Sequence, residues 1–386
     1  MSRQDKVMVR IADNERSLFE HAANEQGLPI ASWARMSLIR AARGREQDSH
    51  SVPRANGLEL LSLFCGPGGL DEGFRQAGFS TRMAFDNDQE CVNTFKLNHA
   101  NATVEKEDIR NLTAARLDQL AGTSFKPVGI IGGPPCQSFS ISNVHQSDED
   151  PRHDLPMEYA RLLKELNKRN PISFFLFENV PGLLGRNHQS RYELFKRNFM
   201  EAGFDLHENR LDAINYGVPQ IRPRVFIVGI NRKFHPRAVW NEPAKEESRP
   251  RTVREVIGGL PEPIVNSNGL NPDEFPVHPN HWTLVPRSSK FRRIGMLKEG
   301  QMIGRSYRTL KWDEPSWTVA YGHREVHVHP NGKRRISIYE AMLFQTFPRD
   351  YRLTGNITAQ VRLISEAVPV RLAWHLAVQI RLSLGI

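Results

Sequence analysis

Apolar positions along the chain fall into short strand-like runs, each closed by a turn or a polar stretch. Leu60, Leu61, Leu63 and Phe64 form the first run, which breaks into a glycine-rich turn and a helix beginning near Gly69. A second run ends at the acidic Asp86, and a third short strand precedes Asp108. The fourth, Val128 to Ile131, opens into "GGPPC", ending at Cys136. Farther on, "PISFFLFENVPGLL" is a buried strand ending in Glu178 and Asn179. "YGVPQIRPRVFIVGI" then sets Gln220, Arg222 and Arg224 on alternating residues leading into another strand, so the two arginines share one face. Strands alternating with helical patterns predict an α/β domain whose ligands bind at the carboxyl edge of the sheet.

The first residues follow a different rhythm. "KVMVRI" alternates with period two, Val7, Val9 and Ile11 on one face and Lys6, Met8 and Arg10 on the other. Two short helices follow, the first stopped by Gly27 and the second carrying Trp33, Met36, Leu38 and Ile39 largely inward. One strand and two helices in some forty residues cannot make an adequate core alone, whereas two copies sharing an antiparallel ribbon could. The polar, turn-rich "GREQDSHSVPRANG" then reads as a linker.

Composition narrows the function. The 386 residues suffice for two or three domains, and no apolar run approaches the length needed to span a bilayer. A formal net charge of +9 favours a polyanionic partner. The three cysteines, Cys65, Cys91 and Cys136, are scattered, with no CxxC pair and no secretory leader. That spacing predicts a reducing compartment and leaves Cys136 to be explained individually.

Successive strand ends supply candidate chemistry. A glycine turn lets backbone approach a ligand, and an acid after the second strand suits a ribose hydroxyl. With Asp108 after the third strand, the set predicts a nucleoside-cofactor site, and the absence of GxxxxGK[ST] argues against a nucleoside triphosphate. Pro134 and Pro135 fix the backbone before Cys136, and the long polar stretch after it predicts a mobile lid. Glu178, following "FFLF", is costly to bury as an anion, so its pKa should be raised.

"FCGPGG", "GGPPCQSFS", "ENV", "QIRPR" and "RRISIYEAMLFQTFP" occur in an order and spacing that resemble the prokaryotic DNA cytosine 5-methyltransferase family. The similarity covers about 57–230 and again about 312–377. It implies a Rossmann-like α/β domain dependent on S-adenosylmethionine, with residues 57–230 as its first part and 312–386 as its return. Residues 231–311 would form an inserted target-recognition domain. The resemblance assigns Cys136 as nucleophile on carbon 6 of cytosine, Glu178 as partner of ring nitrogen 3, and Arg224 as holder of the base carbonyl, with Arg222 in support. Phe64 would pack on adenine, Asp86 and Asn87 would meet the ribose and ring, and Asp108 would accept from the adenine amine. Gly66 and Gly68 would meet the methionine end, with Gly69, Ile109, Pro134 and Glu366 completing the cofactor set. The target base would be flipped out of duplex DNA, with Ser140 and Ser142 of the lid facing it.

The N-terminal pattern, residues 1–44 before a linker at 45–56, resembles the ribbon-helix-helix family of dimeric DNA binders, which would turn Lys6, Met8 and Arg10 toward bases. The resemblances together imply a cytoplasmic, nucleoid-associated protein, a homodimer through the arm, and cognate restriction or defence proteins as partners. Within 231–311, Arg287, Lys290, Arg292 and Arg293 are candidate DNA contacts. "GHREVHVHPNGKRR" carries His323, His327 and His329, a weak metal pattern, and an Asn331-Gly332 turn signal. One departure stands out: where the family pattern has Gly-Asn-Ala-Val-Pro, this chain has "SEAVP", putting the acid Glu366 beside the expected methionine end. Two other functions compete, methylation of a transfer RNA cytosine and transcriptional repression through the arm.

Overall fold

The computed structural model describes residues 57–135, 154–286, 297–303, 307–319 and 326–386, with isolated positions at 16, 19, 20, 30, 34 and 291. Lys6, Met8, Arg10, Cys136, Ser140, Ser142, Arg287, Lys290, Arg292, Arg293 and His323 lie outside the described residues. Residues 1–56 and 57–386 form two separate units. In the first, Arg16 and Glu20 are helical and pair at 3.0 Å, one turn apart and exposed.

The second unit is built on a seven-stranded sheet. Its strands are β1 (Glu59–Leu63), β2 (Ser80–Asp86), β3 (Thr103–Lys106), β4 (Gly129–Gly132), β5 (Phe174–Asn179), β6 (Phe204–Asp212) and β7 (Pro223–Asn231). They lie in the order β3-β2-β1-β4-β5-β7-β6. Every pair from β3 through β5 is parallel, whereas β7 runs antiparallel to both β5 and β6. The order reverses between β1 and β4, and that switch point opens a crevice at the carboxyl edge. Residue choice follows position: β4 and β5 are buried throughout, β5 apolar until it ends in Glu178 and Asn179, while the edge strand β6 is part exposed. Buried Tyr159 clamps the two central strands by donating to the Ile130 and Leu176 carbonyls, each at 3.1 Å.

Helices cover both faces: α1 (Gly69–Gln76), α2 (Gln89–Asn98), α3 (Ala114–Ala121), α4 (Leu155–Arg169) and α5 (Gln189–Glu201). Beyond β7 come the short α6 (Val253–Ile257) and two small sheets. These pair β8 (Ile264–Val265) with β9 (Trp282–Thr283), and order β10 (Met302–Ile303), β11 (Tyr307–Thr309) and β12 (Val326–Val328). Then follow α7 (Ile338–Phe344), α8 (Ile357–Glu366) and α9 (Val370–Leu384). One apolar core lies under α4 and α5. A second gathers Trp282, Phe344, Ile364 and Val370, joining the small-sheet stretch to the C-terminal helices. The Asn331-Gly332 turn is present, with Gly332 at φ 72° and Val328 bridged antiparallel to Arg335. Helix α9 packs against α1 at Gly73, where a side chain would strike Ala373, Val370 and Trp374.

Candidate active site

The turn after β1 is strained toward the crevice. Phe64 has φ 53°, rare for a residue with a side chain, and Gly66 and Gly68 follow at φ 55° and 88°. Strain of this kind collects at ligand sites because surrounding contacts hold it in place. The carboxylate of Asp86 accepts from Gly66 N at 3.0 Å and from Asp88 N at 2.9 Å, lashing the turn to the end of β2. Burial raises the Asp86 pKa against those two backbone bonds. From the far end of the chain, Tyr351 donates to the Pro67 carbonyl, and its hydroxyl lies 3.2 Å from His99 Nε2. A side chain on Gly68 would reach within 2.5 Å of that hydroxyl, so glycine is required both by φ and by space.

Two cavities meet at Phe64, Asp86 and Asn87. The larger, about 320 Å³, runs under Cys65, Gly66 and Gly69, past Asp71 and Asp88, to Pro134, Glu178 and Arg224 on one side and Arg362, Ser365 and Glu366 on another. The smaller, about 230 Å³, is walled by Phe85, Glu107, Asp108, Ile109 and Pro135. A strained glycine turn between two joined compartments, one with acids at strand ends and the other ending at a buried acid, fits a nucleoside carrying an amino-acid tail. Asp108 is already engaged by Arg110, from its amide at 2.9 Å and its Nη1 at 2.8 Å. Gly68 and Arg222 line neither cavity.

Glu178 and Arg224 pair at the end of β5 and the start of β7, Nε to Oε1 at 3.0 Å, both largely buried. Burial raises the Glu178 pKa, and the charges of Arg224 and Arg222 oppose that rise. The expectation of a raised value from its place after "FFLF" therefore matches the direction found. Gly133 has no side chain because one would come within 2.5 Å of Glu178 Oε2. Asn179 Nδ2 donates to the Pro134 carbonyl at 3.3 Å, so the backbone leading to Cys136 is fastened to the strand that carries Glu178.

Arg222 is fully buried. Its Nη2 donates to the Ser365 and Ala367 carbonyls at 2.7 and 2.8 Å, and Nη1 to Val319 at 3.3 Å. The alternation of "QIRPR" predicts it on one face with Arg224, but its hydrogen bonds go to Val319 and to the segment around Glu366. Three residues of the site escape a strand-end pattern. Asp71, 1% exposed, accepts from Ser62 Oγ at 3.0 Å and Thr81 Oγ1 at 2.8 Å, and burial raises its pKa to about 6. Arg362 pairs with Asp88 at 2.7 Å. Tyr351 has its partner on the opposite side of the sequence. Only an acid in the first turn of a glycine-rich helix could have signalled Asp71, and most such acids are simple helix caps.

Comparison with known proteins places this geometry. The family model for C-5 cytosine-specific DNA methylase matches residues 58–381. The type II methyltransferase M.MthTI of Methanothermobacter thermautotrophicus is 33% identical over 350 residues, covering 85% of this chain and 98% of the relative. M.FnuDI of Fusobacterium nucleatum is 32% identical, covering 85% and 95%. Among solved structures, a candidate DNA modification methyltransferase from an E. coli prophage superposes with a TM-score of 0.70 at 25% identity, covering 86% of this chain and all of that one. The chain belongs to the C-5 cytosine-specific DNA methylase family: it is a DNA cytosine-5 methyltransferase that takes its methyl group from S-adenosylmethionine.

Proposed function

We propose that the protein methylates carbon 5 of a flipped-out cytosine at a specific duplex site through a covalent adduct with Cys136, as the modification half of a type II restriction system. The observation that carries this reading is the Glu178–Arg224 pair at 3.0 Å, set against Gly133 and Pro134, three and two residues before Cys136 in the sequence, and facing the larger cavity. When bound, S-adenosylmethionine supplies a methyl group activated by a sulfonium. Phe64, Asn87, Asp108 and Ile109 would hold its adenine, and Asp86 its ribose. Gly66, Gly69 and Glu366 would hold its methionine end, with Pro134 between cofactor and base; Gly68 shapes the turn.

Carbon 5 of cytosine is a weak nucleophile until a thiolate adds to carbon 6 and turns the ring into an enamine. Cys136 forms that bond. Glu178, its proton affinity raised by burial, donates to ring nitrogen 3 as negative charge builds there. Arg224 steadies Glu178 and donates to the base carbonyl, while Arg222 positions the segment around Glu366 from beneath. Carbon 5 of the enamine takes the methyl group, and loss of the proton it still carries then breaks the carbon 6–sulfur bond and returns the thiolate. A stacked cytosine hides carbon 6, so the base must leave the helix.

Residues 231–311 serve as the recognition domain in this account. Arg287, Lys290, Arg292 and Arg293 contact DNA there, and Ser140 and Ser142 act from the lid. Residues 1–44 act as a ribbon-helix-helix arm in which two copies share an antiparallel ribbon and turn Lys6, Met8 and Arg10 toward the bases. The type II names of the relatives support a restriction partner, and no helix among the described residues is long and apolar enough to cross a membrane. Duplex DNA of random sequence containing 5-fluorocytosine tests the chemistry, because fluorine cannot leave as a proton. With S-adenosylmethionine present, the intact protein should remain attached to it through denaturation, and the Cys136→Ser variant should not. Equal trapping of both would refute the adduct.

A further inference from the structure

Two side chains from remote parts of the sequence meet behind the glycine turn. Tyr351, 4% exposed, donates its hydroxyl proton to the Pro67 carbonyl, and the same oxygen lies 3.2 Å from His99 Nε2. A tyrosine hydroxyl carries one proton, so an oxygen that donates to Pro67 accepts at its second contact. Burial lowers the His99 pKa to about 4, which leaves a neutral ring with a single N–H near neutral pH. The hydrogen bond therefore puts that N–H on Nε2 and aims it at the Tyr351 oxygen. The ring itself rests on Phe95, centroids 4.4 Å apart, just past the end of α2.

The main chain around Tyr351 is held from elsewhere. Asn98 exchanges two hydrogen bonds with Arg352, at 2.8 and 3.0 Å, and Asn280 exchanges two with Leu353, at 2.8 and 2.9 Å. What His99 adds is the direction of the hydroxyl. Both side chains stand close against the turn: a Cβ at Gly68 would fall 2.5 Å from the Tyr351 oxygen and 2.9 Å from His99 Nε2. We propose that His99 is a positioning residue for cofactor binding, its Nε2–H fixing the Tyr351 hydroxyl on the Pro67 carbonyl and so holding the glycine turn in its binding shape. This step rests on the cofactor placement proposed above. A residue that acts through a hydroxyl loses its effect when that hydroxyl is removed, whereas a residue that only fills space does not.

The test is equilibrium binding of S-adenosylhomocysteine to the full chain, measured by calorimetry near neutral pH. His99→Leu keeps the bulk and removes the donor, and His99→Asn carries an amide too short to reach the hydroxyl, so one of the two serves if the other fails to fold. His99→Gln returns an N–H at the place of Nε2. The first two should bind about fivefold more weakly, the size of one neutral hydrogen bond, and His99→Gln should stay within about twofold of the parent. In a Tyr351→Phe background the same removal of the donor should cost less than about twofold, because the hydroxyl it aims is gone. Unchanged affinity in His99→Leu and His99→Asn, equal losses in all three, or an undiminished loss in the Tyr351→Phe background would overturn the proposal. An Asp86→Ala variant identifies a failure lying deeper: if it binds S-adenosylhomocysteine as the parent does, the cofactor is not at this turn and the proposal falls with that placement.

Discussion

Gly73→Ala sets two effects of known size against each other. Alanine is the better helix former by about 1 kcal/mol, so an open helix would gain stability. At Gly73, however, a Cβ would fall inside contact distance of Ala373 Cβ, 2.5 Å from the Val370 carbonyl oxygen and 2.7 Å from Trp374 N. Carbon contacts settle near 3.5–4.0 Å, so α1 and α9 must part by about 1 Å. Two of the three obstructing atoms are backbone and cannot rotate aside, which puts the overpacking cost toward the top of the usual ~1–3 kcal/mol. The net expectation is a loss of about 1–2 kcal/mol, read as a fall in unfolding temperature of roughly 2 °C per kcal/mol for a domain of this size. The same joint carries the cavity wall, because the Val368 carbonyl lies against Gly69, so cofactor affinity should fall as well. Differential scanning calorimetry with Gly259→Ala as control decides the matter, since nothing lies within 4 Å of a Cβ at Gly259. A Gly73→Ala protein as stable as the parent would refute the close helix contact.

Asp71 makes stability depend on pH in a known direction. Its folded pKa of about 6 lies above the ordinary 3.8, so the folded state holds the proton more tightly and stability falls as pH rises between those values. The drop is ~3 kcal/mol, and urea unfolding from pH 4 to 7 should show it flattened in Asp71→Asn; matching profiles would contradict it. Tyr351→Phe leaves the Pro67 carbonyl without its side-chain donor, which costs ~1–2 kcal/mol. Steady-state kinetics should show a several-fold higher KM for S-adenosylmethionine with kcat within twofold, because the hydroxyl shapes the turn and touches no reacting atom. A fall in kcat alone would count against that role.

How much was legible in the sequence depended on distance along the chain. A parallel sheet brings successive strand ends to one edge, so Phe64, Asp86, Asn87 and Glu178 could be grouped from local pattern, and they do line one crevice. The glycine turn was equally visible, because only its φ values and its closeness to Tyr351 demand glycine there. What stayed hidden depends on contacts between remote segments. Tyr351 meets Pro67 across 284 positions, and Arg222 meets Ser365 across 143. Period-two alternation puts Arg222 and Arg224 on one face of an extended chain. It carried no information that one guanidinium would sink among backbone carbonyls while the other paired with Glu178. Asp71 is hidden for another reason: its role follows from burial, which an acid in a first helical turn does not announce.

The measurement that bears most directly on the central claim is bisulfite sequencing of DNA from a host expressing the full chain, beside a host expressing its Cys136→Ser variant. The account predicts 5-methylcytosine at one fixed position of one short motif with the intact protein, and none with the variant. Methylation that survives the loss of Cys136, or that is absent from both hosts, would contradict it.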